Sequence, residues 1–229
     1  MKTPRLVPIA TLFALTLTTS CLATVITVPF GTAAPPATLG GYTMAQFSDP
    51  RPEGSLVTDI APPATSPVVG NLLFDAELEH LRVGSAWDTW SHPYAGDVYW
   101  FDELTYGNSL TMTLPGGTTA FYLYVEPDFF GTFTFTLSSG PAAETIAIDG
   151  EGGAQGVGFF TDDPTVWLDS VIIQKVVTDP NDPFADFSNG FGVGEFGING
   201  VPGVPDGGAS VLLLGLALAG LGAARKQVK

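Results

Sequence analysis

One cysteine, two histidines and eight lysines plus arginines are spread over 229 residues, and each scarcity closes off a class of chemistry. The lone Cys21 cannot form an internal disulfide, so the fold has to be held by its core. His80 and His92 cannot make a three-histidine zinc site, and the chain has no HExxH run. There is no GxSxG elbow, and cleavage of a leader after Ala23 removes the only thiol nucleophile. The shortage of bases bears on partners. Between Thr24 and Pro205 only Arg51, Arg82 and Lys175 stand against 22 Asp and Glu, a net charge of −19. Such a surface repels phosphate backbones and argues against nucleic acid as a partner. Divalent cations and neutral glycans are compatible with it.

What is abundant is Gly (28), Pro (19) and Phe (16), distributed as short apolar runs between turns. NSLTMTL sets Leu110, Met112 and Leu114 on one face and Ser109, Thr111 and Thr113 on the other. GTFTFTL repeats the pattern with Phe133, Phe135 and Leu137, and TAFYLYV is equally rich in aromatic and β-branched residues. Period two with that composition is the strand signature. LPGGTT, EPDFFG, SSGPAA and DGEGGAQG read as turns, and ETIAID, VGFFT and VWLDSVIIQKV as further strands. Residues 24–200 are therefore expected to form an all-β domain, an antiparallel β-sandwich or jelly roll. Pro29 to Pro67 reads as coil around edge strands, because proline removes ladder donors. Leu73 to Val83 (LFDAELEHLRV) fits a helix or a pair of strands equally well.

The two ends read as addresses. Residues 1–23 carry Lys2 and Arg5, an apolar stretch from Leu6 to Leu17, and small residues before Thr24, the pattern of a secretory signal peptide. Thr18 stands where a lipobox wants an aliphatic residue, which argues against lipidation of Cys21. At the other end, residues 201–208 form a Gly/Pro linker, and residues 209–224 carry no charge. Those 16 residues make a helix of about 24 Å, short for a permanent span but long enough with its flanks to stop in a bilayer. Arg225, Lys226 and Lys229 in the tip 225–229 would stay cytoplasmic by the positive-inside rule.

Three internal motifs invite a chemical reading, each beside a plainer one. Gly192 to Gly197 (GVGEFG) has dinucleotide spacing, but INGVPG follows it and cannot open the helix that a pyrophosphate needs. The block WDTWSHPYAGDVYWFDELTY gathers Trp87, Trp90 and Trp100 with His92. Flat aromatic faces beside Asp88, His92 and Asp97 suit a glycan, whereas aromatic side chains also fill sandwich cores. Asp179, Asn181, Asp182 and Asp186 lie in TDPNDPFAD, a loop suited to Ca²⁺ or to Asx-capped turns; Pro183 rules out an EF-hand. A glycosidase needs only two carboxylates, and among 22 acids Asp102, Glu103, Glu126 and Asp128 are no better marked than surface charge. The expectation is a non-enzymatic protein, with a carboxylate-pair hydrolase as the competing reading.

Val204-Pro205-Asp206-Gly207-Gly208, then the apolar span, then the basic tip, closely resembles the PEP-CTERM class of sorting signals. The nearest variant has Val-Pro-Asp-Ser-Gly, with Gly207 here in place of its Ser. That resemblance implies recognition and processing by an exosortase, an integral-membrane transpeptidase-like enzyme. It also implies transient residence in the inner membrane, and delivery of the body to the cell surface or exopolysaccharide matrix of a Gram-negative bacterium. The body has a looser likeness, through WDTWSHPYAGDVY, LPGGTTAFYLYVEPDFFGTFTFTL and FGVGEFGI, to secreted bacterial modules thought to be β-sandwiches. It implies no activity, but singles out Trp87, Trp90, His92, Glu126 and Glu195.

Overall fold

The computed structural model describes residues 24–176 and 189–200. The strands are β1 (Val25–Gly31), β2 (Thr38–Leu39), β3 (Tyr42–Thr43), β4 (Ala45–Gln46), β5 (Leu56–Ile60), β6 (Leu72–Arg82) and β7 (Asp97–Asp102). After the one-turn helix α1 (Glu103–Tyr106) come β8 (Ser109–Thr113), β9 (Thr118–Pro127), β10 (Thr132–Ser139), β11 (Ala142–Asp149), β12 (Gln155–Thr161), β13 (Ser170–Val176) and β14 (Gly190–Gly200). One sheet runs β1-β12-β9-β14-β7-β6-β8-β13-β10-β11, with β4 added to β14 and β5 to β6; β2 and β3 form a separate hairpin. Its strand ladders are antiparallel. The ends of this path, β1 and β11, approach each other, so the sheet curls into a nearly closed, barrel-like sandwich. That closure leaves little open edge, and Pro29 withholds a ladder donor on β1.

Alternation decides which side chains enter the barrel. Leu72, Phe74, Ala76 and Leu78 on β6 are buried while Leu73, Asp75 and Glu77 are exposed, so the segment Leu73 to Val83 is neither helix nor strand pair but mostly one long strand. Period two in its burial wins over the helical look of its ELEHL run. Phe135 and Leu137 on β10 face inward, and Thr136 on the outside meets Thr145 at 3.1 Å across β11. The inner cluster is completed by Leu110, Met112, Ile173, Phe191 and Val193.

β9 breaks the half-wet pattern, since every one of its residues is buried. Phe121, Leu123 and Val125 point into the barrel, whereas Ala120, Tyr122 and Tyr124 are covered from outside by Leu39, Phe30, Tyr42 and Trp90. The N-terminal segment and the β6–β7 loop thus form a partial outer layer over β9 and β14. Burial pushes the Tyr122 phenol up to about 12, and pushes Tyr124 upward too.

The start of the domain is tied down by charge. Arg51 pairs with Asp49 at 2.7 Å and with Asp59 at 3.2 Å. Burial alone would raise the Asp49 carboxyl, but Arg51 holds it below its ordinary value. Asp97 accepts the Asp49 backbone N–H at 2.9 Å and faces His80 Nε2 at 2.9 Å. The other ring nitrogen of His80 faces the Pro52 carbonyl at 3.3 Å, and its ring stacks on Tyr99.

Since both clusters close within residues 24–200, a fragment of those residues should fold alone. Far-ultraviolet circular dichroism is expected to be β-rich with one cooperative thermal transition. A helix-dominated spectrum, or no transition, would show that the domain needs its flanks.

Candidate functional site

The three tryptophans of the aromatic block each donate an indole N–H to a different carboxylate. Trp87 donates to Glu126 at 2.7 Å, Trp90 to Glu195 at 3.0 Å, and Trp100 to Asp128 at 3.1 Å. Thr89 adds an O–H bond to Glu126 at 2.7 Å, and His92 Nε2 faces Glu195 at 2.8 Å. The β6–β7 loop is therefore fastened to the sheet at Glu126 on β9 and Glu195 on β14.

Glycines make room for the rings. A Cβ added at Gly192 would lie 2.9 Å from the Trp87 ring, and one at Gly194 would lie 3.4 Å from the Trp90 ring. Gly192 sits between Trp100 on β7 and Glu126 on β9 in the ladder, and the Trp100 indole is cleared by Gly190, where an added Cβ would lie 2.7 Å from its Nε1. The GVGEFG run is thus strand backbone whose glycines let the Trp87 and Trp90 rings approach the sheet closely.

Glu195 reaches the outer face through a defect. Strict alternation after Phe191 and Val193 would point Glu195 into the barrel. Register shifts between Gly194 and Gly197, and Glu195 adopts φ 49°. The bulge turns Glu195 outward and brings Phe196 into the core instead. His92, its partner, also has positive φ, 42°. Both members of the pair hold a backbone conformation that L-residues avoid, so their mutual contact and the Trp90 bond have to hold it in place.

Burial pushes the Glu126 carboxyl above its ordinary value, against the two hydrogen bonds from Trp87 and Thr89. The folded state then binds this proton more tightly than the unfolded state. The stability linked to it is present below the unfolded value of 4.5 and is lost as pH rises through the folded value.

Beside this fastening lies an open cleft of about 410 Å³. Trp87 and Trp100 line it together with Asp88, Asp128 and Glu79, and with Phe129 and Phe130. Phe129 is 52 % and Phe130 60 % exposed, unusual for large apolar side chains in a turn. Of the residues proposed from the sequence, the structure brings Trp87 and Trp100 to this cleft. Trp90 and His92 are half-buried at Glu195 and do not line it. Asp128, Phe129 and Phe130 join Trp87 and Trp100 in the lining, and two phenylalanines inside a Gly/Pro turn are the sequence sign of it. The loop holding Asp179, Asn181, Asp182 and Asp186 lies outside the described residues, as do residues 1–23 and 201–229 with the expected signal peptide and span. Among the described residues no helix is long and apolar enough to cross a membrane, and no His, Cys, Asp and Glu group could hold a metal ion.

Residues 203–228 match the VPDSG-CTERM motif, a PEP-CTERM-like sorting signal. The match contains Val204, Pro205, Asp206, Gly207 and Gly208 as well as Arg225 and Lys226. It marks an exported, surface-sorted protein. No curated protein and no solved structure matches the chain.

Glu126→Gln keeps the size of the side chain and an acceptor for Trp87. It should flatten the pH dependence of the melting temperature between acid and neutral pH. Glu126→Ala leaves the Trp87 and Thr89 donors without their acceptor and should cost about 1–3 kcal/mol across that range. A glutamine variant with the parent's pH profile would remove Glu126 as the titrating group.

Proposed function

We propose that this chain is a non-enzymatic surface or matrix protein whose tail is processed by an exosortase and whose folded domain holds polysaccharide in the Trp100 cleft. The observation that carries the sorting half is the VPDSG-CTERM motif at residues 203–228. Pro205 and Gly207-Gly208 are residue types that disfavour a helix, which suits a motif that a processing enzyme has to engage. An accessible extended peptide is what a membrane transpeptidase engages, and a short Gly-rich span suits temporary anchorage. The exopolysaccharide matrix of a Gram-negative host is the destination this reading assigns.

The glycan half draws on the cleft. A half-buried indole, two exposed phenylalanines and adjacent carboxylates are the elements with which a protein grips a sugar ring, apolar on its C–H faces and hydroxylated at its edge. The competing reading, a hydrolase with a carboxylate pair, is weakened by what those acids already do. Asp102 caps α1, Glu103 pairs with Lys175, Glu126 holds Trp87 and Thr89, and Asp128 holds Trp100.

Mass spectrometry of the surface-located protein from its own host should find a C-terminus between Val204 and Gly208, with Arg225 and Lys226 gone. Intact Lys229 on that protein, with the exosortase present, would mean the tail is only an anchor.

A further inference from the structure

Glu79 on β6 and Trp100 on β7 are direct cross-strand partners. They line two hollows, the cleft and a smaller one of about 140 Å³ bounded by Leu56, Glu77, Asp102, Thr105 and Tyr106. The reason is strand geometry. Glu77 and Glu79 are two apart on β6, Trp100 and Asp102 two apart on β7, so all four project from the outer face of the sheet. The two hollows share the Glu79–Trp100 pair on the outer face, and we take them together as one elongated groove. Phe129 and Phe130 line only the cleft, exposed Tyr106 only the smaller hollow, and Trp100 both.

Charge along this groove has one sign. Asp88, Asp128 and Glu79 line the cleft and Glu77 and Asp102 the smaller hollow, while among the described residues no Lys, Arg or His lines either. A polysaccharide bearing phosphate or uronate would meet these carboxylates with repulsion. A neutral polymer would use the aromatic faces but would leave the charge unmatched. A polymer whose sugars carry free amines uses both, laying ring faces on the aromatic side chains and directing ammonium groups to the carboxylates.

We propose that the groove binds a linear amino-sugar polysaccharide with de-acetylated, cationic amines, Trp100 lying under a central sugar. The proposal deepens the glycan reading above and rests on it. Selectivity comes from Glu77, Glu79 and Asp88, and sugar binding as such comes from Trp100, Phe129 and Phe130.

Titration calorimetry of the full-length protein in a sugar-free nonionic detergent, at mildly acidic pH, tests this with two probes. These are a β-1,4-linked glucosamine hexasaccharide and its fully N-acetylated counterpart. The free-amine probe should bind about tenfold more tightly, because several weak, partly screened ion pairs add. The preference should shrink when salt is raised from about 0.05 M to about 0.5 M. Glu79→Gln should reduce the preference while leaving the acetylated probe's binding as it was. Phe130→Ala, at a side chain exposed enough not to disturb folding, should weaken both probes. Equal binding of the two probes overturns the amine selectivity and leaves the glycan cleft standing. A preference that survives Glu79→Gln, with both affinities unchanged by Phe130→Ala, places the site elsewhere and overturns the proposal. No binding of either probe overturns both readings.

Discussion

Two buried carboxylates hold the outer face of this domain together. Glu126 and Glu195 would each be a liability alone, since an ionised side chain removed from water is costly unless its oxygens are met. Each is met by an indole N–H from the same loop and by a second partner, Thr89 or His92. The loop gains anchors and the acids gain donors, so neither would be stable in its place without the other. The cleft inherits its shape from that exchange. Trp87 lines it with its indole held by Glu126, and Trp100 lines it with its nitrogen tied to Asp128.

The bulge at Glu195 is the backbone counterpart of this chemistry. A regular β14 would bury a carboxylate in the barrel among Phe121 and Leu123 and expose Phe196. One extra residue reverses both assignments and permits Phe196 to stack on Tyr99 and Phe121. The strain of a non-glycine residue at positive φ, of order 1–3 kcal/mol, is set against a buried ring and a satisfied acid. In a domain with no cysteine from Thr24 to Gly200, such local arrangements have to do the work that disulfides do in small exported proteins.

How much of this was legible in the sequence follows from the range of each interaction. Strands such as Ser109–Thr113 and Thr132–Ser139 announce themselves because alternation is a property of adjacent residues. β6 was ambiguous because its Leu and Glu spacing satisfies both periods, and only burial on a sheet separates them. Glu126 and Glu195 stood out through resemblance alone. Their partners Trp87 and Trp90 are 39 and 105 residues away, and nothing local links them. EPDFFG reads as a turn and is one in the backbone, yet the position of Asp128, Phe129 and Phe130 beside Trp100 depends on β14 lying between β7 and β9. Proximity set by strand order cannot be read from spacing.

The plain alternative for the tryptophans, that they fill the core, is half right in an instructive way. Trp87 is buried and Trp90 packs against the outer cluster, but the three indoles lie on the outer face of the sheet, while the barrel itself is filled by Phe, Leu, Ile and Tyr. A tryptophan differs from phenylalanine by one N–H, and at each of these positions that N–H has a carboxylate acceptor. Replacing the indole by a purely apolar ring would keep much of the packing and lose the anchor. The sequence's excess of acid thus has two distinct uses. Some carboxylates are consumed inside to position aromatic side chains, and others line the groove those side chains shape. Among the described residues no base lines that groove, so its acidic face is turned toward whatever the exported domain meets.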